Sequence, residues 1–216
     1  MNGKIRSDDF IAFLNWSVPL SSLRRSVLFL LVLFVDIFML LPIYMDPYVE
    51  IYRNILLPPI AIIHLYAFWI VVSPIKRQIA SRMYIGVFAS FVSLGYLVLI
   101  QKFLYSMAGL RSPLYAIGVV LGAAIALIGM IRYLVGKVEN ETFFSGKNKG
   151  MSVISLASSL GVVLGHVTLG IYRSQVAYMW AAAFYGLSIA MMFLAVVMIY
   201  RYILIRRHPE LFIPEK

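Results

Sequence analysis

Three ionisable side chains lie deep inside apolar runs: Asp36, His64 and His166. A charge in the hydrocarbon region of a bilayer is costly, so such residues mark a proton or ion path, a cofactor ligand or a buried pair. Asp36 and His64 each stand near the middle of consecutive runs. At a rise of about 1.5 Å per residue, the two fall at one depth on antiparallel neighbours. A carboxyl and an imidazole placed so would relieve each other's burial. The imidazole changes charge in the neutral range, so the pair would also hold and pass a proton. The bland alternative is a structural contact, or an Asp36 that bonds a neighbouring subunit. His166 lies on a further run, 151–172, toward the outer side of the midplane. Ser155 and Ser159 share its helical face at spacings of four and seven. Asp36, His64, His166, Ser155 and Ser159 are thus the transport or proton candidates. Paired histidines also ligate b-type haem, here His64 with His166, and Asp36 with both histidines forms a conceivable metal set. No spacing pattern supports either, and no cofactor is predicted. His208, before Pro209, reads as solvated.

The elements that must position these residues are membrane-spanning helices. The 216 residues are 62% hydrophobic and 13% charged, with a mean hydropathy of +0.90. Globular chains are roughly half apolar and about a quarter charged. Several runs approach or exceed the roughly 20 apolar residues that cross the hydrocarbon core. Six are predicted, over 27–45, 54–73, 83–105, 114–135, 151–172 and 176–200. Pro58 and Pro59 are expected in the first turns of the second span, where a missing amide costs least. The predicted fold is all-α, a polytopic transmembrane bundle. Residues 1–26 form a cytoplasmic tail with an amphipathic segment lying in the interface, capped by Ser7 and anchored by Trp16. Residues 27–200 form the six-helix domain and 201–216 a basic cytoplasmic tail. The opening tail lacks the pattern of a cleaved signal, so the first span is expected to be retained.

Rows of small residues at four-residue spacing let helix backbones approach closely in lipid. They occur as Gly118, Gly122 and Ala126 in the fourth span, Ala157, Gly161 and Gly165 in the fifth, and Ala182, Gly186 and Ala190 in the sixth. The first two spans carry bulky Leu, Ile and Phe instead. This predicts a tight core of the fourth, fifth and sixth spans, with the fifth most enclosed. The first two spans are left peripheral, or as a contact surface for a partner protein or a second copy. A faint likeness between 78–88 and 175–184 needs a one-residue gap, too little to establish an inverted repeat.

The net charge of +10 is carried in short segments between apolar runs, which points to lipid rather than nucleic acid. Of the 19 Lys and Arg residues, only Arg53, Lys102, Arg111 and Arg173 fall on one side of the six-span arrangement. The other side is therefore cytoplasmic by the positive-inside rule, and holds both termini. A cell membrane is the expected location, with Arg24, Arg25, Arg206 and Arg207 at the lipid headgroups. With no cysteine, disulfides and thiolate chemistry are ruled out.

No phosphate-binding loop, HExxH, CxxC or GxSxG is present, and no loop is long enough to be a domain, so nothing advocates an enzyme. The first functional reading is a small transport or permease-type protein, proton-coupled through Asp36 and His64. The alternatives are a non-catalytic membrane subunit docking through the first two spans, and a haem- or metal-binding redox protein or enzyme.

Overall fold

The structure, a computed structural model, describes residues 8–15, 20–73, 75–139 and 173–212. In lipid every backbone amide and carbonyl needs an internal partner, which long apolar runs can supply only as helices. Helix α1 is Asp8–Asn15. Helix α2 is α-wound over Leu20–Leu30, π-wound over Leu31–Leu40 and α-wound again over Leu41–Tyr44. Helix α3 is Glu50–Val72. A 3-10 turn, Ile75–Arg77, leads into α4, which is Gln78–Lys102 with a π-wound extension, Phe103–Met107. Helix α5 is Pro113–Glu139 and α6 is Arg173–Arg207, followed by a 3-10 turn, Pro209–Leu211. Among the described residues there is no strand, and five helices, α2 to α6, are long and apolar enough to cross a membrane. They occupy the runs read as the first, second, third, fourth and sixth spans. The run 151–172, with Ser155, Ala157, Ser159, Gly161, Gly165 and His166, lies outside the described residues.

Helix α2 buries Leu23, Val27, Leu31, Val35, Met39 and Ile43, a strict four-residue row. A straight α-helix turns every 3.6 residues, so such a row would creep around it. The wider winding over Leu31–Leu40 takes up that drift and keeps the row on one face. Pro42 follows directly. It has no amide to offer four residues back and its ring crowds that carbonyl, which favours a changed winding just before it. Helix α3 needs no such device. Its buried residues Leu56, Ile60, Ile63, Ala67 and Ile70 alternate steps of four and three, a repeat that follows one face of a regular helix. Pro58 and Pro59 sit inside α3 rather than in its first turns. The helix starts earlier than its apolar run because a polar turn precedes it, closed by an Arg53–Glu50 ion pair at 2.7 Å.

Among the described helices the centre is α4 against α6, flanked by the α2–α3 hairpin on one side and α5 on the other. In the apolar centre of α4, 61% of residues are buried, against 6% in α5. The fourth span is therefore peripheral among the described residues, not part of the core expected of it. The close approach is made by α4. A Cβ added at Gly86 would lie 2.8 Å from Ile199 Cγ1 and 3.3 Å from its backbone nitrogen. Ser93 and Ser188 meet across the same contact at 3.0 Å, and the Ser188 hydroxyl reaches the Ser93 carbonyl. Tyr96 and Phe184 pack edge to face beside them. Of the predicted rows, Gly122 meets the Tyr185 hydroxyl, whereas no described atom lies within 4 Å of a Cβ at Gly118 or Gly186. Ala126 and Ala190 are half-buried and Ala182 is exposed.

Helix α1 does not merely lie along a surface. Phe13 and Leu14 are fully buried, in a second apolar cluster with Leu134, Val138, Val197, Leu204 and Ile205. That cluster ties α1 to the last turns of α5 and α6.

Candidate functional site

The α2–α3 hairpin brings Asp36 and His64 together. His64 Nε2 lies 3.0 Å from Asp36 Oδ1, and His64 Nδ1 lies 2.9 Å from the carbonyl of Ile60, one turn back on α3. Asp36 sits inside the π-wound stretch, and its own carbonyl accepts from the amide of Leu41. Single π turns within helices are often found at functional sites. The same turn of this backbone is anchored from the core: the buried Tyr96 hydroxyl donates to the Phe34 carbonyl at 3.0 Å.

The partners dictate the protons. A backbone carbonyl only accepts, so Nδ1 must carry a hydrogen and donate it to Ile60. Nε2 then either carries a second hydrogen and donates to an ionised Asp36, or is bare and accepts from a protonated one. In both cases one proton lies between ring and carboxyl and the pair is neutral overall. Shifting it across 3.0 Å interconverts an ion pair and a neutral pair. With both ring nitrogens engaged, His64 has no free lone pair to offer a haem iron while this geometry holds. Among the described residues no three His, Asp or Glu side chains gather as a metal set.

The pair is not sealed. The side chains of His64 and Asp36 are 37% and 35% exposed, at the seam of α2 and α3 rather than in the α4–α6 core. Arg24, Arg25, Arg206 and Arg207 are exposed near helix ends. His208 is half-buried rather than solvated, edge-on to Phe10 and 3.4 Å from Glu210.

Three buried cations carry more of the architecture than their place in the charge count suggested. Lys102 is 1% exposed. Its ammonium donates to the carbonyls of Pro42, Ile43 and Met45. Three donors thus meet three carbonyls at the end of α2, where unpaired acceptors and the negative end of the helix dipole await a cation. A lysine with apolar residues on both flanks, as in LVLIQKFLY, is the signal that could have found it. At the opposite end of the bundle, Arg82 and Arg201 both donate to the carbonyl of Leu14, at 2.9 Å from Arg82 and at 3.1 and 2.9 Å from Arg201. The last turn of α1 is thereby held by α4 and α6 together. Nothing in the sequence links Leu14 to residues so distant.

An all-helical bundle with five membrane-length apolar helices among its described residues is an integral membrane protein. No protein family, curated protein or solved structure matches this chain.

Proposed function

We propose that this is a small six-span transport-type protein with cytoplasmic termini, in which Asp36 and His64 bind and release the coupling proton. The observation that carries the reading is the 3.0 Å contact between the two side chains, in the π-wound part of α2. One proton is shared there, so protonation or deprotonation of the pair leaves a net charge in a low-dielectric setting. Helix rearrangement that admits water would relieve it. In liposomes under a pH gradient, the intact protein is expected to carry protons across the membrane. Asp36→Asn and His64→Gln should each reduce the flux to that of protein-free liposomes, and the double variant should be no worse, since coupled residues are not additive. Equal flux in the intact protein and Asp36→Asn would overturn the proposal.

A second reading, a membrane subunit docking through α2 and α3, is favoured by the exposure of about a third of each paired side chain. Polar groups facing lipid are expensive, and a neighbouring protein surface would cover them. Under that reading Asp36→Asn shifts the mass of the particle extracted in mild detergent toward a single chain and leaves liposomes unaffected.

A further inference from the structure

A second polar feature lies away from the Asp36–His64 pair. Where α3 ends, α4 begins and α6 ends, a cavity of about 530 Å³ opens at the surface. Its walls carry three cations, Lys76, Arg77 and Arg206, and three aromatic rings, Trp69, Tyr202 and Phe212, and among the described residues no carboxylate lines it. The first turn of α4, from Gln78 to Ala80, closes one side and adds the positive end of a long helix dipole.

Two of the three cations are held in place by rings. The Arg77 guanidinium stacks on Trp69 at 4.1 Å and donates to the Trp69 carbonyl. Arg206 donates through Nε to the Tyr202 hydroxyl at 3.3 Å and leans over that ring. Phe212 is itself covered by the Arg82 guanidinium at 4.5 Å. A guanidinium has five N–H donors, so after these contacts both arginines keep donors to offer a ligand. Their planar forks match two oxygens of one phosphate. Tryptophan and tyrosine are the residues that settle at the headgroup level of a bilayer. A phosphate with an acyl-bearing remainder suits such walls: oxygens to the cations, glycerol and upper chain to the rings. The volume is in the usual range of small-molecule sites and exceeds what a bare ion fills.

We propose that this cavity binds the phosphate group of an anionic phospholipid, held between α3, α4 and α6. The chemistry shared with a soluble phosphate is the oxyanion, so the test must separate the two sources. The full chain in mild detergent is titrated with phosphatidylglycerol, with phosphatidylcholine and with inorganic phosphate, and adducts are counted by native mass spectrometry. One tight phosphatidylglycerol adduct is expected, with no equivalent for phosphatidylcholine and no displacement by inorganic phosphate. A membrane-surface cation contributes about fivefold in affinity. The triple variant Lys76→Gln, Arg77→Gln, Arg206→Gln should therefore weaken that adduct on the order of a hundredfold. Arg111→Gln, which removes an exposed charge at the far end of α4, should leave it intact. If the triple variant does not yield folded protein, Arg206→Gln alone decides: about a fivefold loss, restored in part by Arg206→Lys, which keeps the charge but not the fork. Equal binding of the two lipids, or an unchanged adduct in the cavity variants, overturns the proposal. Displacement by inorganic phosphate makes the ligand a soluble phosphate and overturns its lipid part.

Discussion

Lys102 shows how one residue can join two helices that the sequence treats as separate. Buried at 1% exposure, it spends its three donors on carbonyls at the end of α2. Lys102→Met keeps the stem but removes every donor, leaving those acceptors buried at a helix end. A hydrogen bond involving a charged group contributes about 1.5–3 kcal/mol, and a loss of that order is expected in denaturation of the detergent-solubilised protein. Lys102→Arg should recover part of it if the larger fork can be accommodated. Unchanged stability in Lys102→Met would mean that water already serves these carbonyls. Asp36 and His64 are of a different kind. Their contact was legible in outline from position alone, yet the Ile60 carbonyl, which dictates the tautomer, was not, because it belongs to backbone one helical turn away.

Between helices, small residues decide where backbones touch only if something bulky waits opposite. Two glycines of α4 make the distinction. At Gly86 an added Cβ meets Ile199 Cγ1 and the Ile199 backbone nitrogen, whereas at Gly95 it meets the far end of the Met39 side chain, with Cε at 2.4 Å and Sδ at 2.9 Å. A thioether on flexible bonds can swing aside; a helix backbone cannot. Gly86→Ala is therefore expected to cost about 1–3 kcal/mol and Gly95→Ala clearly less, measured as thermal stability in one detergent. Equal losses would show that Met39 is as fixed as the backbone. The four-residue rows of α5 and α6 were the stronger pattern on paper. They record the capacity for close approach, not whether a partner occupies that face, and among the described helices α4, with no such row, takes the central place.

The whole molecule is organised by charge as well as by packing. Exposed Lys76 follows α3, while exposed Asp46 and Arg111 lie at the far ends of α2 and α4. The chain has no cysteine, so single replacements report without background. Cysteines at Asp46 and Arg111 are expected to react with an impermeant thiol reagent on intact cells, and ones at Lys76 and Asn148 only after the membrane is opened. Labelling of Asn148 from outside would remove the predicted crossing over 114–135, or invert the chain.

Read alone, the sequence determined the class of molecule and where the apolar helices α2 to α6 run. Both follow from one strong physical term: apolar runs about 20 residues long must bury their backbone polar groups in helices wherever lipid is the solvent. The same term made Asp36 and His64 conspicuous, since a charge among apolar neighbours stands out without any knowledge of contacts. What the tertiary structure decided was which of the described helices is enclosed, and which cations leave the surface. Leu14 meets Arg82 and Arg201, Lys102 meets the end of α2, and α4 rather than α5 lines the core of the described residues. Those outcomes rest on side chains from distant parts of the chain filling one another's spaces and lone pairs. Each depends on shape at ångström scale, and residue spacing along one helix carries no record of the helix that lies across from it.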